Sequence, residues 1–116
     1  MIKIVAAVVT AAIILLAGCY NDKEELLYGS ITCDGSNASY AANVSPIIQK
    51  SCAVKDCHAA GSINGPGPLT NYNQIRNAAV SIQSAVVSRF MPQGSSLTLS
   101  QIKSINCWVT AGAPNN

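Results

Sequence analysis

Histidine occurs once in this 116-residue sequence, at His58, and beyond Met1 methionine also occurs once, at Met91. Charged residues make up only 10% of the chain, with seven Lys and Arg against five Asp and Glu. No basic run marks a nucleic-acid partner, and no acidic run marks a cation store. No Ser-His-Asp arrangement and no pair of carboxylates suited to acid–base work is legible, which sets hydrolysis aside. A closed zinc site needs about four protein ligands, and there is no second histidine or second cysteine pair at suitable spacing. Aromatics are sparse, with one Trp, one Phe and four Tyr. A folded part of about 75 residues with so little aromatic bulk makes a thin core by itself. The composition calls for a large prosthetic group without identifying one.

Long apolar runs are confined to the N-terminus. Ile4 to Leu16 is an apolar run of 13 residues containing one Thr, preceded by Lys3. It is too short for a comfortable membrane span and suits the hydrophobic part of a signal peptide. It ends in Leu16-Ala17-Gly18-Cys19, which resembles the bacterial lipobox. Residues 1–18 are therefore read as a lipoprotein signal peptide and Cys19 as the lipidated residue. The alternatives are an uncleaved helix or a plain secretory signal. At about 0.8 kcal/mol per buried CH₂, several acyl chains on Cys19 give stable anchoring. Residues 19–38 read as a tether, polar and without apolar periodicity, reaching on the order of 25 Å. Its Asp22-Lys23-Glu24-Glu25 resembles acidic signals that carry some Gram-negative lipoproteins to the cell surface; a solvated charged linker is the alternative. The expected location is lipid-anchored outside the cytoplasm, on the periplasmic face or on the outer face of the outer membrane. Residues 39–116 leave room for one domain.

Within that domain, Cys52 to His58 reads C-A-V-K-D-C-H. Two thiols followed at once by histidine is the arrangement that attaches haem covalently, with the imidazole held against the iron. The usual gap between the cysteines is two residues, whereas here it is four. A structural disulfide, or a copper or zinc site using Cys52, Cys57 and His58, is the competing reading. Of the five cysteines, Cys33 and Cys107 are left over. An oxidising compartment permits a bridge between them. It would enclose 73 residues and stabilise by roughly 4 kcal/mol in the loop-entropy picture. Two free thiols are the alternative.

The pattern of the rest is helical. Ser45 suits an N-cap and Pro46 the first helical position, starting a short helix that delivers Cys52. Residues 59–69 contain three glycines and two prolines, Pro66 and Pro68, and exclude a regular element. Ile75, Ala78, Ala79, Ile82, Ala85 and Val86 recur at spacings of three and four between Asn71 and Arg89, as two short helices or one broken one. Thr98-Leu99-Ser100-Gln101 is a capping box. Ile102, Ile105 and Val109 follow on one face beside Trp108, with Gly112 as the stop and Pro114 beyond.

Lipobox, tether, S-P-I-I-Q-K-S-C, C-x₄-C-H, the Gly/Pro loop, M-P-Q-G and L-T-x-x-Q-I-x-x-I-x-x-W-V-x-x-G-A-P together resemble the small monohaem cytochrome c lipoproteins of Gram-negative bacteria. The resemblance covers about Tyr40 to Pro114, and it departs in the C-x₄-C spacing and the extra cysteine pair. It implies an all-α, cytochrome c-like fold of three to five short helices around one covalent haem c, with a long Gly/Pro loop. It implies a carbonyl of Pro66 or Pro68 as acceptor for the His58 Nδ1–H, and Met91 as the sixth iron ligand. The C-terminal helix would cross the N-terminal one, with Trp108 in the core or near a propionate. The function implied is electron transfer, not enzymatic catalysis, between a donor complex and a terminal oxidase or reductase. An exposed haem edge would allow self-association. Two other readings stay open: a haem sensor or weak peroxidase with an open sixth site, and a copper- or zinc-binding lipoprotein.

Overall fold

Ser39 opens the first helical segment. Its Oγ accepts from the Ala42 amide at 2.9 Å, and its own amide donates to Asn43 Oδ1 at 2.8 Å, a reciprocal cap that satisfies amides with no helical partner. The computed structural model describes residues 31–35 and 38–116. The signal peptide, Cys19 and most of the tether lie outside the described residues.

The turn after Ser39, Tyr40–Val44, is π-helical, with the amides of Val44 and Ser45 donating five residues back to Ser39 and Tyr40. Helix α1, Ser45–Ser51, continues from it without a break. Ser45 is therefore not the cap that its sequence context suggests. The segment begins one turn earlier, and Pro46 falls in the first turn of α1. A proline ring clashes with the carbonyl four residues back, here that of Ala42. A wider turn upstream relieves that crowding.

Helix α2, Tyr72–Asn77, and helix α3, Ala79–Val87, are separated at Ala78, where φ is −95° and ψ 4°. Asn71 Oδ1 accepts from the Gln74 amide at 3.1 Å, while Gln74 Oε1 accepts from the amide and hydroxyl of Thr70. Helix α4, Leu99–Thr110, begins with a complete capping box. Thr98 Oγ1 accepts from the Gln101 amide at 3.2 Å, and Gln101 Oε1 accepts from the Thr98 amide at 2.9 Å. Thr98→Ala is expected to cost about 1 kcal/mol, read as a lower urea midpoint at unchanged slope. Gly112, at φ 93°, turns the chain after α4, its amide donating to Val109 at 2.9 Å. The described residues are helical, with no strand and no helix long and apolar enough to cross a membrane.

Apolar residues at helical spacing converge on one core. Val44, Ile48, Ile75, Val86, Ile102, Ile105 and Trp108 are its fully buried members. The Tyr40 ring stands 4.9 Å from that of Tyr72, nearly perpendicular, and 5.8 Å from that of Trp108. The polar ends of the Tyr72 and Trp108 rings find partners in the C-terminal tail. Tyr72 donates its hydroxyl to the Ala113 carbonyl at 2.9 Å, and Trp108 Nε1–H donates to Pro114 at 2.8 Å. The amides of Tyr40 and Ala41 donate to Asn116 Oδ1 and O at 2.8 and 2.9 Å. The tail thus closes over the first turn, and Trp108 packs in the core with its N–H satisfied by the protein.

Residues 31–34 are fastened to α4. Cys33 and Cys107 are disulfide-bonded with Cα atoms 5.4 Å apart, within the usual range. Lys103 Nζ pairs with Asp34 at 2.8 Å, and Asn106 Nδ2–H donates to the Ile31 carbonyl at 3.2 Å.

Candidate functional site

Cys52 follows α1 directly. Its amide donates to Ile48 at 2.9 Å, and its carbonyl accepts from the His58 amide at 3.0 Å. The stretch from Cys52 to His58 is therefore a closed loop. Inside it the Cys57 amide donates to Val54 at 3.1 Å, and Asp56 lies in the left-handed region at φ 64°. Asp tolerates that region better than branched residues do. The two residues beyond the usual spacing are absorbed in this turn, from which Cys57 and His58 emerge side by side.

Neither thiol is bridged; Cys52 is buried and Cys57 exposed. Burial pushes the Cys52 thiol up to about 11, and the neighbouring Cys57 adds to the shift. In the unmodified chain, Cys57 is expected to alkylate at least about tenfold faster than Cys52 near pH 8. The Cys52 rate should climb with its thiolate fraction as pH rises toward 11. Peptide mass spectrometry after timed labelling reads both.

His58 is buried, with Nδ1 3.0 Å from the Gly67 carbonyl. A carbonyl only accepts, so Nδ1 carries the proton and the Nε2 lone pair is free to bind a metal. No hydrogen bond among the described residues ends on Nε2. No sealed side-chain nitrogen or oxygen among them lacks a partner, so Nε2 has access to the surface. The resemblance implies Pro66 or Pro68 as the acceptor; the bond goes instead to Gly67, between them. Each proline stiffens the chain by fixing its own φ, but the turn itself needs φ 104°, which a glycine adopts without steric cost.

The loop after His58 is pinned to the rest of the fold. The Leu69 amide donates to the His58 carbonyl at 2.9 Å, and Gln49 Nε2–H donates from α1 to Leu69 at 3.2 Å. Asn64 Nδ2–H donates to the carbonyls of Asp56 and Cys57, each at 3.0 Å. Gln49, Asn64 and Gly67 carry no mark in the sequence that singles them out, apart from the prolines flanking Gly67. Met91 is half-buried on the turn after α3, its amide donating to Ala85 at 3.1 Å. The two candidate axial residues therefore sit on separate segments, and no hydrogen bond joins them.

An open depression of about 500 Å³ is lined by Cys57 and by residues of the loop that follows, including Ser62, Ile63 and Asn64. His58 and Cys52 do not line it, so it is not the seat of a ligand on Nε2. No group of three or more His, Cys, Asp or Glu among the described residues could hold a metal ion. The copper or zinc reading needs such a group at Cys52, Cys57 and His58. No family profile, curated protein or solved structure matches the chain.

Proposed function

We propose that the protein is a membrane-anchored monohaem cytochrome c that transfers electrons, with haem attached through Cys52 and Cys57 and ligated by His58 and Met91. The observation that carries this reading is the state of His58. The imidazole directly follows two unbridged thiols, and Gly67 holds its tautomer so that the ligating nitrogen is unpaired. These residues fit the group. A structural disulfide between them would have consumed the thiols, which are unbridged.

When bound, the haem supplies a one-electron ferrous–ferric couple. The chain's own part is to hold and tune it. Cys52 and Cys57 fix the group covalently, and the Gly67 carbonyl orients the imidazole and increases its basicity. The Met91 thioether raises the potential by favouring the ferrous form. A cytochrome c-like arrangement is supported by the packing of α4 on the N-terminal turn. Two apolar side chains near the ligands in sequence, Val54 and Phe90, are exposed, surface that a macrocycle or a redox partner would remove from water. Lipidation at Cys19 would keep this domain at a membrane outside the cytoplasm, where donor complex and oxidase or reductase meet it.

The test is the absorption spectrum and pyridine haemochrome of protein matured in its native pathway. One low-spin, six-coordinate haem c per chain, with the weak Met-to-ferric charge-transfer band, is expected. A colourless protein with both thiols alkylatable refutes the proposal, and a five-coordinate high-spin spectrum replaces the carrier with a sensor or peroxidase.

A further inference from the structure

The widened cysteine gap creates a local problem that the loop solves with one side chain. Asp56 in the left-handed region takes its own carbonyl and that of Cys57 out of any helical ladder, leaving two acceptors through which a side chain can hold the turn. Asn64 Nδ2 has two hydrogens, and both carbonyls lie 3.0 Å away. Ser62 Oγ–H also donates to Cys57, and it accepts the Asn64 amide at 3.2 Å. On its other side Asn64 reaches the histidine's partner, because its carbonyl accepts from the Gly67 amide at 2.6 Å. The Gly67 carbonyl is the one that holds His58 Nδ1–H. A single residue thus spans from the second thiol's backbone to the imidazole's acceptor.

We infer that Asn64 is a positioning residue that adapts the four-residue cysteine gap to haem ligation, by locking the Asp56–Cys57 turn to the Gly67 carbonyl that orients His58. This rests on the proposed haem reading for its purpose, though not for its geometry. The task is to give two hydrogen bonds from one planar amide to adjacent carbonyls. An aspartate of the same shape would have none to give and would set a carboxylate against both oxygens.

The experiment compares wild type, Asn64→Asp, Asn64→Ser and Ile63→Ser, each matured in the native pathway. Ile63 is almost wholly exposed, so its variant controls for a change in the loop that leaves the clamp intact. The readout is deuterium exchange of the His58 Nδ1–H by NMR, with haem content measured separately by pyridine haemochrome. Exchange is expected to be roughly tenfold or more faster in Asn64→Asp, the scale of the two donated hydrogen bonds it loses. Asn64→Ser, keeping one donor, should fall between, and Ile63→Ser should match wild type. If Asn64→Asp does not accumulate, Asn64→Ser against Ile63→Ser decides the matter. Wild-type exchange in the Asn64 variants, even with a lowered melting temperature, overturns the inference, since a merely structural residue would move only the latter. Absence of haem from wild type would defeat the proposed function, while the exchange comparison would still judge the clamp.

Discussion

Replacing Cys33 and Cys107 together by alanine is expected to lower the stability of the folded domain by about 4 kcal/mol. For a domain of this size that corresponds to a fall in melting temperature of roughly 15–30 °C. The effect is large because the bridge spans almost the whole fold, with a sequence separation of 74, so its removal frees most of the unfolded chain. The contacts beside it do not compensate. The Lys103–Asp34 pair is solvent-accessible, with its aspartate side chain 62% exposed, and such pairs contribute little. The Asn106–Ile31 hydrogen bond belongs to a segment that the disulfide itself holds down. Thermal melts of wild type and the double variant, matured in the same way, check this. A shift of only a few degrees would mean that the loop is closed by other means or that the bridge does not form.

Under the proposed His58 and Met91 ligation of a haem, Met91→Ala should have the largest spectroscopic effect of any single change outside the thiols and His58. Loss of the thioether is expected to abolish the Met-to-ferric charge-transfer band and leave a high-spin or water-ligated iron. The midpoint potential should fall on the order of 100 mV or more, since the axial ligand is a principal determinant of haem potential. Stability should change far less, because Met91 is half-buried and is not part of the buried core. Redox titration and the ferric spectrum read the result. An unchanged spectrum would remove Met91 from the ligand set and favour the open-site sensor or peroxidase. The two substitutions are expected to act independently: the bridge on the unfolded ensemble, the methionine on the proposed iron.

Local structure was legible wherever neighbouring residues decide it. The capping box at Thr98 to Gln101 and the Gly112 stop each depend on a side chain or glycine within one helical turn. The break between α2 and α3 also falls inside the segment where periodicity allowed for one, and the apolar positions of α3 and α4 are largely the buried ones. Ser45 misled because Pro46 acts on the carbonyl four residues upstream, a clash that the N-cap pattern does not count. The chain met it with a π-turn capped at Ser39. Pro66 and Pro68 misled in a related way. The stiffening residues are conspicuous in a sequence, whereas the carbonyl that reaches His58 belongs to the glycine they flank.

The order of chemical groups along the chain was determined by sequence alone. One imidazole next to two thiols, one methionine before a proline, and a remaining cysteine pair follow from residue identity, and no folding can add ligands. What tertiary structure decided is how those groups are presented. His58 Nδ1 carries the proton because Gly67, nine residues on, brings a carbonyl within 3.0 Å. Cys52 differs from Cys57 because the core takes one thiol and leaves the other in solvent. The C-terminal tail satisfies Tyr40, Tyr72 and Trp108 because chain ends distant in sequence meet over one hydrophobic core. Burial and hydrogen bonding between remote segments are properties of the packed molecule, and it is these that set protonation state and accessibility.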